Sequence, residues 1–158
     1  DAVAPNVVTL NAAISACEKG WSWQAALCLL GLMLQRPPVG APPPGAPAAL
    51  PPASGARVGV PVPDLRSFNS AVGACARARR RGEALALLAR LHAEGLQPDR
   101  VTLNFALDAA RGAPEAPALW SEALRRGVYP GLLAKAPALL DCHDLSPGAA
   151  AAAVRWWL

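Results

Sequence analysis

PDLRSFNSAVGAC (residues 63–75) occurs in this chain in three related copies. PNVVTLNAAISAC (5–17) precedes it and PDRVTLNFALDAA (98–110) follows it, with Pro98 standing 35 residues after Pro63. Each copy opens on Pro and an acidic or amide residue, and each carries an Asn at the same offset: Asn11, Asn69 and Asn104. The apolar residues between are Leu10, Ala13, Ile14 and Cys17 in the first copy, Phe68, Ala71, Val72 and Cys75 in the second, and Leu103, Ala106, Leu107 and Ala110 in the third. That i, i+3, i+4, i+7 spacing is one stripe of an amphipathic helix. Copies at such a period imply stacked helical hairpins. The expected fold is therefore all-α, an α-solenoid of about three helix-turn-helix units, which offers an extended concave surface rather than a deep cleft.

A second helix is expected after each copy. In the middle unit it runs through RGEALALLARLHAEG (81–95), with Ala84, Leu85, Leu87, Leu88 and Leu91 inward. The matching residues of the first unit are Ala26, Leu27, Leu29, Leu30 and Met33. The third has a shorter link, GAPEAP (112–117), and then Ala118, Leu119, Ala123 and Leu124. Gly95 and Gly127 follow their helices where a left-handed C-terminal cap favours Gly, and Pro98 and Pro130 forbid continuation.

Between the first two units lies RPPVGAPPPGAPAALPPASGARVGVPVP (36–63). Pro and Gly at this density sustain neither helix nor sheet, so a disordered, partly polyproline insertion is expected. Loop-closure entropy grows slowly with length, and such an insertion need not break the stack. The expected organisation is a first hairpin over 5–35, the insertion over 36–63, two further hairpins over 64–131 and a distinct segment over 132–158. In that last segment LLDCHDLSPGAAAAAVRWWL (139–158) reads as a short apolar strand, a turn and a helix started by Ser146 and Pro147. The helix is expected to cap the last hairpin, with Trp156 or Trp157 covering apolar surface.

The net charge of +4 and pI near 9.2 make the chain mildly basic, compatible with a polyanionic partner. No run of apolar residues is long enough for a transmembrane helix. Cys17 and Cys75 hold equivalent places where Ala110 stands in the third copy, which reads as small core filler rather than a disulfide. Cys142 and His143 are adjacent without a second ligand pair, so no metal site is expected.

These repeats resemble pentatricopeptide repeats, 35-residue hairpins that open V-T-Y-N and close G-x-x-P-D. VVTLN (7–11), LRSFN (65–69) and RVTLN (100–104) match the opening, and GLQPD (95–99) and, except at its last residue, GVYPG (127–131) match the close. The resemblance implies single-stranded RNA binding at one base per repeat. It implies base-edge reading by Asn11, Asn69 and Asn104 with Asp64 and Asp99 as second readers, a preference for uracil, and packing of Val8, Arg66 and Val101 on base faces. Gly131 replaces the second reader of the third repeat. An amide suits the task because it offers both a donor and an acceptor to a base edge. Local hydrogen bonding to the backbone is the alternative use of these Asn residues. RARRRG (77–82) is the densest basic run, and Arg77, Arg79, Arg80 and Arg81 are candidate phosphate contacts.

LDCHDLS (140–146) resembles the L-D-L-H-G-L-S opening of an Smr (small MutS-related) domain, with Cys142 for Leu and Asp144 for Gly. That likeness makes Asp141 and His143 the candidate catalytic pair of a nuclease. The leading expectation remains a monomeric RNA-binding protein without cofactor or catalytic activity. It would serve post-transcriptional RNA metabolism in a mitochondrion or chloroplast, a localisation the resemblance alone implies, since no targeting segment is visible. A helical scaffold for other proteins is the second reading, and a fragment of an Smr-type endonuclease the third.

Overall fold

The computed structural model describes residues 5–34, 61–130, 132, 140–143 and 145–158. Among these residues the chain is all-helical: α1 (Val7–Lys19), α2 (Trp23–Leu34), α3 (Leu65–Arg77), α4 (Arg81–Ala93), α5 (Arg100–Ala109), α6 (Ala116–Arg125) and α7 (Pro147–Trp157). Most of the expected insertion lies outside the described residues, as do Gly131 and residues 133–139.

The first helix of each unit starts on a side-chain cap placed by the repeat. The Asn6 side chain accepts from the Thr9 N–H at 2.9 Å. Asp64 and Asp99 accept from the N–H groups of Ser67 and Thr102, each at 2.9 Å, and each of those hydroxyls accepts in return from the N–H of its cap residue. Such reciprocal caps satisfy two otherwise orphaned donors, and each cap contributes about 1 kcal/mol. The turns repeat as well. Trp21 and Arg79 both take the left-handed conformation, with φ of 60° and 56°. The residues after them close the turn, Ser22 N–H onto Cys17 O at 2.9 Å and Arg80 N–H onto Cys75 O at 2.8 Å. Gly95 and Gly127, with φ of 75° and 64°, end α4 and α6.

α1 packs on α2, α3 on α4 and α5 on α6, giving three hairpins. α1, α3, α5 and α7 form one row in which each helix packs on the next, while α2, α4 and α6 each touch their own partner and the following member of the row. The hairpins on either side of the insertion are thus in direct contact. The apolar stripes of α3 and α5 are fully buried, since each of these helices has a neighbour on both sides. In α1, packed on one side only within the row, Ile14 is buried while Leu10, Ala13 and Cys17 are half-buried. Among the second helices Ala26, Leu30, Met33, Ala84, Leu87, Leu88 and Leu91 enter the core, and Leu27, Leu29 and Leu85 lie at its edge. No helix among the described residues is long and apolar enough to cross a membrane.

Three expectations need correction. α6 begins at Ala116, inside the expected link, because Pro117 is tolerated in a first helical turn. The buried positions are consequently Ala116, Leu119, Trp120 and Ala123, and Ala118 is exposed. The C-terminal strand is absent among the described residues. Without a neighbouring strand its backbone has no ladder to join, and the Asp141 N–H donates instead to Leu132 O at 3.0 Å. α7 does pack on α5 and α6, but through Gly148, Ala149, Ala152 and Ala153, leaving Trp156 and Trp157 exposed. Small residues allow closer approach of the helix, and bulky ones are left outside. At Gly148 a Cβ would lie 2.3 Å from the Leu107 carbonyl oxygen.

Candidate nucleic-acid interface

Asn11 and Asn69 sit in the second turns of α1 and α3, on the side facing the next helix of the row. The Asn11 amide donates to both carboxylate oxygens of Asp64, at 3.0 and 3.2 Å, and the Ser67 hydroxyl donates to its carbonyl at 2.5 Å. One unit later the Asn69 amide donates to Asp99 at 3.2 and 3.3 Å, and the Thr102 hydroxyl donates to its carbonyl at 2.5 Å. The same side-chain trio therefore joins consecutive hairpins twice. Its carboxylate is the one that caps the helix behind it.

Ser67 and Thr102 are fully buried, and the Asn and Asp residues are half-buried. Burial pushes the Asp64 carboxyl up. Hydrogen bonds from the Ser67 N–H, the Asn11 amide and the Arg66 N–H outweigh it and hold the group below the usual carboxylate range. Asp64 is thus an anion at neutral pH. Each Asn spends one amide hydrogen and one carbonyl lone pair on this trio, and retains one of each.

The third copy ends differently. The Tyr129 hydroxyl donates to the Asn104 carbonyl at 2.6 Å, in the role that Ser67 and Thr102 fill for the earlier Asn residues. Trp120 stacks on Tyr129 with ring centroids 5.2 Å apart. Burial pushes the phenol up to about 12, with Arg100 opposing and Asp108 reinforcing, so it stays protonated as a donor at neutral pH. The hydroxyl of Ser146 donates to the backbone carbonyl of Asn104 at 3.2 Å, which brings the start of α7 against the same turn.

Val8, Asn11, Asp64, Arg66, Asn69 and Val101 line one open groove of about 630 Å³. Val8 and Val101 stand on its rim, 74% and 46% exposed. Asp99 reaches Asn69 but is not part of the groove lining, and Asn104 lies outside it. A smaller hollow of about 120 Å³ holds Arg100, Tyr129, Asp141 and His143. There Asp141 accepts from the His143 N–H at 3.1 Å, and its carboxylate lies 3.6 Å from the His143 ring. The His143 side chain is almost wholly in solvent.

The four arginines gather at the other end of α3, about 12 Å or more from Asn69 along the helix axis. Arg77 meets Glu18 at 3.3 Å and Arg81 meets Glu115 at 3.8 Å. Arg80 meets Glu83 at 2.5 Å while lying over the Trp23 ring at 4.3 Å. Arg79 meets no carboxylate among the described residues. Ser67, Thr102 and Tyr129 were not singled out by the sequence reading. The first two were accessible to it, since Asp followed three residues later by Ser or Thr is a capping pattern.

No protein-family model matches the chain, and no curated protein matches it in sequence.

Proposed function

We propose that the chain is a short pentatricopeptide-like solenoid that binds single-stranded RNA in the groove between α1, α3 and α5. The observation that supports this reading most is the convergence of Val8, Asn11, Asp64, Arg66, Asn69 and Val101 on one open surface. Each Asn keeps an unused amide hydrogen and a carbonyl lone pair, and a uracil edge carries the matching acceptor and donor side by side. Two such positions, Asn11 with Asp64 and Asn69 with Asp99, stand one hairpin apart. The rim residues offer Val8 and Val101 as apolar contacts for base faces and Arg66 as a guanidinium that can stack or meet a phosphate. Asn104 lies outside this groove, so recognition spans two bases. By the same resemblance the site of action is mitochondrial or plastid RNA metabolism.

A protein-binding scaffold is the second reading. It is favoured by the exposed apolar residues Val154, Trp156 and Trp157 of α7 and Leu158 just after it.

Fluorescence anisotropy with labelled U-rich, A-rich and C-rich single strands tests the proposal. Asn69→Ala alone is an ambiguous probe, because Asn69 also joins two hairpins. Val8→Ala and Val101→Ala change only exposed rim surface and leave that junction intact. A preference for U that weakens in both rim variants, at unchanged melting temperature, is the expected result. Equal binding of all three sequences by every variant would refute base reading.

A further inference from the structure

The edge formed by the hairpin turns, away from the groove, carries side chains that the base-reading surface does not use. Trp21 and Arg79 stand at the same offset after Asn11 and Asn69, and both are held in a left-handed conformation that Gly adopts freely and other residues do not. The α5–α6 turn uses Gly112 for a left-handed position, with φ of 76°. At the first two turns the fold instead projects large side chains, and Trp21 is 64% exposed. A strained backbone that displays a functional type of side chain is a reason to look for a ligand.

Two adjoining hollows lie along this edge, of about 520 and 390 Å³. Arg79 and Arg111 line both. Neither meets a carboxylate among the described residues, whereas the acidic groups beside them are engaged. Glu83 is held by Arg80, and Asp108 accepts the Gly148 N–H at 2.5 Å. An exposed indole in line with unpaired guanidinium groups is the combination that holds single-stranded nucleic acid: stacking for the bases and cations for the backbone.

We propose that the turn edge is a second contact surface for single-stranded RNA, with Trp21 stacking on a base and Arg79 and Arg111 neutralising phosphates. The inference extends the RNA reading of the groove, and the two fail separately. Arg79→Gly suits the test because it removes the charge while relieving the backbone, so the fold is expected to be at least as stable. Binding of labelled oligouridine would be titrated across a salt series for wild type, the Arg79→Gly/Arg111→Gln double variant and Trp21→Gly, with melting temperatures recorded alongside.

Loss of two phosphate contacts from a single strand should lower the slope of log K against log salt by about 1.4 while leaving any preference for U in place. Loss of one stacked base should weaken binding about fivefold or more. Unchanged slope and affinity in variants that still fold would overturn the proposal, as would absence of binding by the wild type. Wild-type binding that is salt-sensitive but indifferent to base, and that loses slope in the double variant, would uphold the turn edge and defeat the groove.

Discussion

The bond between Asn69 and Asp99 can be measured apart from everything else either residue does. Asn69 gives up its contacts to the Asp99 carboxylate, at 3.2 and 3.3 Å, and to the Thr102 hydroxyl when replaced by Ala. A hydrogen bond to a charged group contributes about 1.5–3 kcal/mol, and the half-buried setting brings this to about 1 kcal/mol. The Thr102 contact adds about 1 kcal/mol, so Asn69→Ala should lose about 2 kcal/mol. Asp99→Ala should also lose about 2 kcal/mol, half of it from the N-cap of α5. Because both single variants delete the shared bond, the double variant should lose about 3 rather than about 4 kcal/mol. Urea unfolding of the four proteins supplies the cycle. A coupling below about 0.3 kcal/mol would mean that the two side chains do not join the hairpins, and the account of the interface would fall with it.

Three other outcomes follow from the packing and electrostatics. Gly148→Ala places a Cβ 2.3 Å from the Leu107 carbonyl oxygen and 2.5 Å from the Asp108 Cα, both backbone, so α7 must shift at a cost of about 1–3 kcal/mol. Limited proteolysis should then cut before α7 sooner than in wild type, and equal digestion would contradict the close approach. Asp64 is held below its ordinary carboxylate range, so its contribution to stability is complete above that range and lost as pH falls through its folded value. The urea midpoint should drop on acidification towards that value, and less steeply in Asp64→Asn, which can still cap α3 but takes up no proton. Cys28 is exposed, whereas burial first, then Glu83, pushes the Cys75 thiol up to about 11 against the opposing Arg80. A thiol reagent at neutral pH should therefore modify Cys28 quickly and Cys75 only on unfolding. Prompt modification of Cys75 in the native protein would show that the α3 stripe is not closed.

The hairpins were legible because helical periodicity is local and occurs here three times. Phe68, Val72, Leu103 and Leu107 lie where their spacing puts them, and the offset of Asn11 and Asn69 from Pro marks residues that share a surface. What escaped depends on contacts between units. That Ser67 and Thr102 serve the Asn of the preceding hairpin, beyond capping their own helix, follows only once α1, α3 and α5 are side by side. Tyr129 reads as an ordinary residue of a closing turn until its hydroxyl is seen on Asn104. The early start of α6 at Ala116 was hidden by Pro117, which looks like link but fits a first turn. The strand expected at the C-terminal segment had an apolar pattern and no partner, and pattern alone does not make a strand. The two tryptophans of α7 looked like the covering residues because they are the largest, whereas the closest contact went to glycine and alanine.

The double employment of Asp64 and Asp99 has a thermodynamic consequence. Each carboxylate starts its own helix and receives the Asn of the hairpin before it, so the free energy of initiating one helix depends on whether the previous unit is in place. Independent modules would melt one by one along the row. Here nucleation in one unit and docking of its neighbour draw on the same oxygen atoms, and the boundary between a folded and an unfolded hairpin is penalised on both sides. The row is therefore expected to unfold as one cooperative block, with the residues inserted between α2 and α3 interrupting the chain but not the cooperativity.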